Sequence, residues 1–187
     1  LSLLTIPWFK PDALEIPWIG LKLQPFGMLV AIGVLFGARI AEKRAAKVGL
    51  RPEVISDLIF HVLVIAFLFG HMFDMVLYHP GTVLERPWEL LFFWTSLSSY
   101  GGFFGALLGG LVWRWRRGFP LLPGLDAMAF ALPFGWFFGR LGCFVVHDHP
   151  GAKTDFFLGV ANYQYPGLEV ATRHDLGLYE VIWSAVV

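Results

Sequence analysis

Lysine and arginine in this sequence gather at two short junctions, and the stretches between them are long and apolar. The junction "EKRAAKVGLR" carries Lys43, Arg44, Lys47 and Arg51, and "RWRRG" carries Arg114, Arg116 and Arg117. Apolar runs of this length can satisfy their backbone in a bilayer only by hydrogen-bonding internally, which points to spanning helices. Hydrophobic residues make up 57% of the chain and charged residues 15%, against about half and about a quarter in a soluble domain. That pattern predicts a polytopic membrane protein. A net charge of zero gives no reason to expect a nucleic-acid partner, and the single Cys143 excludes an intrachain disulfide.

Five apolar segments are predicted: 26–41, 54–78, one within 90–113, 125–146 with Asp126 as its N-cap, and one starting near 178. The N-terminal stretch has interrupting Pro and charged residues and no small-residue cleavage site, so it does not read as a cleavable signal. The final run, 178–187, is about half the roughly 20 residues a crossing needs. The chain is therefore expected to be cut inside a helix, with more helices beyond. The expected fold is an all-α integral-membrane helical bundle, one membrane domain over 1–187. Residues 147–177 form an outward-facing region inserted before the fifth helix.

The two basic junctions hold seven Lys or Arg, and "YHPGTVLERPW" holds one. The positive-inside rule places the basic junctions in the cytoplasm. The N-terminus, the 80–87 loop and the 146–177 region then face outward, and Arg140 lies near the outer surface. The outward region carries β-formers around a Tyr-Pro-Gly turn, which predicts a short hairpin. "PWFKPDALEIPWIGLKLQPF", with Trp8 and Trp18, is expected at the membrane interface. Gly101, Gly105 and Gly109 are four apart, as are Gly135 and Gly139, a spacing that lets helices approach closely in lipid. After "TSLSSY", Gly101-Gly102 could also mark an unwound segment satisfied by a polar cavity.

Chemistry concentrates in "GRLGCFVVHDHPG". An arginine is costly in lipid and usually faces a cavity with a partner; its fork suits a phosphate. Snorkelling to head groups, or a structural pair with Asp148, is the alternative for Arg140. His147-Asp148-His149 invites a metal, with His174 and Asp175 as further donors. Their i, i+2 spacing is a weak pattern, and no metal or other cofactor is expected. Cys143 reads as a small buried residue, with a nucleophile as the alternative. His61 and His71 lie inside the second segment, either as interhelical hydrogen-bonders or in a cavity, with Asp74 one turn after His71. Arg173 and His174 precede the fifth segment. Tyr179 and Glu180 follow, Glu180 either favouring the helix dipole or pairing with an arginine.

The stretch "LPFGWFFGRLGCFVVHDHPG" resembles the signature of the prolipoprotein diacylglyceryl transferase family. Pro133, Phe134, Gly135, Gly139, Arg140, Gly142, Phe144, Asp148 and Gly151 fit its frame. "SYGGFFGALLGG" is similar to the family's His-Gly-Gly motif, "QPFGMLVAIG" to its first helix, and "RHDLGLYE" to its Arg-His-Pro-x-x-Leu-Tyr-Glu. The departures are Tyr100 for the motif histidine, Cys143 and Val146 for two asparagines, Asp148 for a glutamate, Phe26 for a tyrosine and His71 for an arginine.

The resemblance implies a bacterial inner-membrane enzyme that moves diacylglyceryl from phosphatidylglycerol to the acceptor cysteine thiol of a prolipoprotein, without a cofactor. It implies Arg140, Asp148, Tyr100 and His147 as catalytic residues. Arg140, Gly101, Gly102, Gly139, Gly142, Cys143, Gly151 and Phe26 would meet lipid or phosphate, and His71, Arg173, His174, Tyr179 and Glu180 would shape the cavity. Expected partners are phosphatidylglycerol, the lipobox of the prolipoprotein signal peptide and membrane lipids. The alternatives are an inactive lipid- or lipoprotein-binding subunit of a larger membrane complex, and a transferase for another phospholipid or acceptor.

Overall fold

The computed structural model describes residues 5–18, 21–92 and 96–186. Residues 19–20 of the interfacial stretch, 93–95 of the third apolar segment (with the threonine of "TSLSSY") and 187 lie outside them. The chain divides into two compact units, Ile40–Phe130 and Leu1–Arg39 with Ala131–Val187. The boundaries fall inside two long helices, Pro25–Lys47 (α1) and Leu121–Val146 (α5). These two and Pro52–Tyr78 are long and apolar enough to cross a membrane.

In the Ile40–Phe130 unit, Pro52 opens helix α2 (Pro52–Phe73) at a position that needs no N–H donor. One wider turn over Asp74–Tyr78 continues it to His79, where the backbone breaks. A short helix α3 (Pro80–Glu85) and a tight turn over Pro87–Leu91 follow. Helix α4 (Ser99–Arg117) starts after an extended Ser98 and stops at Gly118, whose φ of 71° only glycine adopts freely. Helix α4 thus starts inside the third expected segment, 90–113, and runs past its end to Arg117.

Three glycines of α4 bring it against α2. A β-carbon at Gly101 would lie 2.4 Å from the Phe69 carbonyl, at Gly105 2.6 Å from that of Ile65, and at Gly109 2.8 Å from the Val62 α-carbon. Below this stripe Leu58, Val62, Trp113 and Leu121 form the core. Asp57 accepts from the Trp113 indole at 2.8 Å and from Arg117 at 2.9 and 2.8 Å.

The helix expected from 125 begins at Leu121, because Pro123 in its first turn needs no N–H donor. Asp126 is therefore inside the helix, 3.5 Å from Arg44, and is not its cap. Likewise α1 continues past 41 to Lys47, carrying Arg44 and Lys47 in its last turn, where the dipole favours cations.

In the other unit, Gly33 of α1 meets α5 so closely that a β-carbon there would lie 2.7 Å from the Gly135 carbonyl. Strands Leu14–Ile16 (β2) and Leu21–Leu23 (β3) pair in a hairpin within the N-terminal interfacial stretch. A four-stranded sheet has the order β1-β5-β6-β4, formed by Ile6–Pro7 (β1), Pro150–Lys153 (β4), Val160–Tyr163 (β5) and Ala171–Asp175 (β6). The predicted hairpin is β5–β6, antiparallel. Its link includes a turn in which Leu168 N–H donates to Tyr165 O at 3.1 Å, with Gly167 at φ 80°. The sheet runs into helix α6 (Leu176–Val186), an apolar helix of 11 residues.

Candidate active site

Helix α5 ends in a turn that folds the chain back on itself. His147 N–H donates to Phe144 O at 3.3 Å and Asp148 N–H to Cys143 O at 3.4 Å. His147 has φ 52°. Both bonds and the left-handed residue are those of a helix C-terminus closed by paired 5→2 and 6→1 bonds, where glycine is the usual occupant. A histidine there costs backbone energy, so other contacts must hold it.

Asp175 and a box of rings do so. The Nδ1–H of His147 donates to Asp175 Oδ2 at 2.7 Å. The imidazole is 2% exposed and Asp175 is fully buried. Trp8, Phe9, Phe144 and Tyr163 surround the ring, with centroids 4.8–6.0 Å away. His147 Nε2 is buried without a partner among the described residues. Burial pushes the Tyr163 phenol above the ordinary tyrosine value, and the Asp175 charge adds to the shift. The other oxygen of Asp175 accepts from Leu178 N–H at 3.2 Å, capping α6. One carboxylate thus joins the end of α5 to the start of α6.

The returning turn sets Asp148 and His149 beside Cys143, a buried free thiol. His149 Nδ1–H donates to Asp148 Oδ1 at 2.5 Å, and both side chains are 41% exposed. One turn earlier on α5, Arg140 pairs through Nε with Glu180 Oε2 at 2.6 Å, and its guanidinium lies 4.6 Å above the Trp136 ring. Cys143 lies between the opposite charges of Asp148 and Arg140.

The other expected site residues of this unit take different places. A methyl group added at Gly139 would meet nothing within 4 Å, so the helix is open there. At Gly142 it would lie 3.0 Å from the Phe26 ring, and at Gly151 2.9 Å from the His174 β-carbon. These two glycines admit neighbours. Arg173 donates to the Gly151 and Glu169 carbonyls at 3.2 and 3.4 Å and so braces the sheet. The Tyr179 hydroxyl and His174 Nδ1 are 2.6 Å apart.

The remaining expected residues belong to the Ile40–Phe130 unit. Tyr100, on the first turn of α4, is 75% exposed. Gly101 is spent on the contact with α2, while Gly102 has open space beside it. The segment is helical there, and the non-helical stretch is 96–98, where Ser98 N–H donates to Gly70 O at 3.0 Å. His71 is fully buried, its ring nitrogens each 3.1 Å from a carbonyl, of Ser96 and of Glu89. Asp74 accepts from the Ser96 hydroxyl at 2.5 Å, leaving His71 with backbone partners.

Sequence reasoning missed the ring box and the pairing of His147 with Asp175. A signal for the pair was present: a non-glycine residue where a helix turns back, and a carboxylate just ahead of α6.

A family model described as prolipoprotein diacylglyceryl transferase matches residues 11–187. The phosphatidylglycerol–prolipoprotein diacylglyceryl transferase of Janthinobacterium sp. (strain Marseille) is 30% identical over 171 residues, covering 90% of this chain and 63% of that protein. The same-named protein of Roseobacter denitrificans is 30% identical over 199 residues, covering 94% and 66%. That of Chromohalobacter salexigens is 27% identical over 187 residues, covering 99% and 68%. The chain spans about two thirds of the length of these relatives.

Proposed function

The chain belongs to the prolipoprotein diacylglyceryl transferase family, and we propose from this premise that it moves diacylglyceryl from phosphatidylglycerol to a prolipoprotein cysteine thiol. The observation that carries the reading is Arg140: a guanidinium in an apolar helix, held at 2.6 Å by Glu180 beside the open face of Gly139. Breaking the bond between glyceryl carbon and phosphate oxygen builds negative charge on the leaving group. A fixed cation at that point lowers the barrier.

In this reaction the acceptor thiol gives up its proton, and its sulfur forms a bond to the glyceryl carbon. The carbon–oxygen bond breaks as the new bond forms, and its electron pair leaves with glycerol phosphate. A free thiol has a pKa of about 8.5, so it needs a base. Asp148, two-fifths exposed beside Cys143, is the base in this scheme. Buried His147 positions it through the turn they share. Complementation of a transferase-depleted bacterium by Tyr100→Phe decides whether that hydroxyl takes part.

The seven basic residues at the two junctions support an orientation in the inner membrane with Arg140 toward the periplasm. A second reading, an inactive lipid- or lipoprotein-binding subunit of a larger complex, draws on Tyr100 standing where the resemblance expects histidine. Complementation separates the two. A bacterium depleted of its own transferase should be rescued by the gene encoding this chain and not by its Arg140→Ala form at equal membrane expression. Failure of the well-expressed wild type with both its own and the host's acceptor lipoproteins would leave the subunit reading.

A further inference from the structure

The sequence set a metal aside because the i, i+2 spacing in His147-Asp148-His149 is a weak pattern. The structure removes His147 from any such set by burying it against Asp175, and supplies a different donor. Cys143, Asp148 and His149 each present one ligand atom, and the three atoms lie within 4.8 Å of one another. We propose that Cys143, Asp148 and His149 form a binding site for a thiophilic divalent cation of the zinc class.

Four observations favour this occupant. The donor set is one sulfur, one nitrogen and one oxygen, which suits zinc and not the oxygen-seeking magnesium or calcium. A tetrahedral zinc site with bonds of about 2.0–2.3 Å has ligand-to-ligand edges of about 3.3–3.8 Å. Side-chain rotation closes the remaining gap, since Asp148 and His149 are 41% exposed and a bound cation would replace the hydrogen bond between them. Charge also balances: a thiolate and a carboxylate cancel two positive charges, and neighbouring Arg140 is matched by Glu180 at 2.6 Å.

The scaffold is rigid where it needs to be. The Asp148 N–H to Cys143 O bond ties two of the ligands through the backbone. The His149 carbonyl accepts from Leu176 N–H at 3.0 Å, fixing the third against α6. Supporting contacts of this kind orient metal ligands. Three protein ligands leave a fourth position on the exposed side, as in sites where an exchangeable ligand binds.

The test is zinc titration of the purified full-length protein in detergent against a chromogenic chelator, repeated with cobalt(II). The wild type should bind one equivalent and show a sulfur-to-cobalt charge-transfer band. Cys143→Ser should abolish the band, and His149→Ala should weaken binding beyond the roughly 10–100-fold that losing a supporting contact costs. His149→Cys should retain binding, which separates ligation from folding. No bound equivalent in the wild type, or binding that survives loss of both Cys143 and His149, overturns the site. Binding without transfer activity upholds the site and sinks the transferase reading; activity without binding does the reverse.

Discussion

His147 and Asp175, 28 positions apart, meet at 2.7 Å with both side chains buried. Their bond holds a left-handed histidine at the end of α5 and the first turn of α6 in one arrangement. Removing one partner of a buried hydrogen bond leaves the other unsatisfied, which costs about 1–3 kcal/mol. Asp175→Ala should therefore lower the unfolding midpoint in detergent strongly, followed by tryptophan fluorescence. Asp175→Asn keeps one acceptor oxygen, enough for His147 or for Leu178 N–H but not for both, and should lose less than Asp175→Ala. His147→Gly relieves about 1 kcal/mol of backbone cost but empties the ring box, so it too should destabilise. A wild-type midpoint for Asp175→Ala would show that the pair pins nothing.

The glycine stripe makes a contrast within one helix. Gly101→Ala and Gly105→Ala each drive a methyl group into a backbone carbonyl of α2, at 2.4 and 2.6 Å. Overpacking of this kind costs about 1–3 kcal/mol. Gly102→Ala meets nothing within 4 Å and should leave the unfolding midpoint near the wild-type value. Equal effects at 101 and 102 would contradict the packing described.

Arg140→Lys keeps the charge and loses the fork. Hydrogen bonds to charged groups contribute about 1.5–3 kcal/mol each, so phosphatidylglycerol binding to vesicle-reconstituted protein should weaken by about 10–100-fold. Arg140→Ala should weaken it further. Binding unchanged in Arg140→Lys would mean that the arginine serves only as a point charge.

Tyr163 should resist alkali. Its phenol is raised above the usual value of about 10 by burial. The folded state therefore keeps the proton that the unfolded chain releases. Stability from this group is complete below pH 10 and is lost as pH rises toward the folded value. Ultraviolet difference titration of wild type against Tyr163→Phe should show no tyrosinate from residue 163 while the protein stays folded. An ordinary titration near pH 10 in the folded state would contradict the burial.

The membrane helices were legible because hydropathy and basic junctions act locally, and α1, α2 and α5 each appear within a few residues of their expected place. The third segment was readable only as a range, since where α4 starts inside it depends on the extended Ser98 and its bond to Gly70, 28 positions earlier. The β5–β6 hairpin was readable from Tyr165-Pro166-Gly167, whose turn chemistry is local. Around Arg140, the sequence raised an arginine partner for Glu180, and the two are paired. It could not sort the three residues after α5, because one backbone angle at His147 sends that ring inward and the next two side chains toward Cys143.

Arg140 already holds an anion. On the proposed function, its bond to Glu180 means that an arriving phosphate would not enter a vacant cationic site but would trade places with a carboxylate. The measured preference for a lipid is then the difference between two anions competing for one guanidinium. Zwitterionic head groups, whose own ammonium compensates their phosphate, should exchange less readily than singly anionic ones. Discrimination among lipids would thus reside as much in Glu180 as in the arginine, and Glu180→Gln should broaden it.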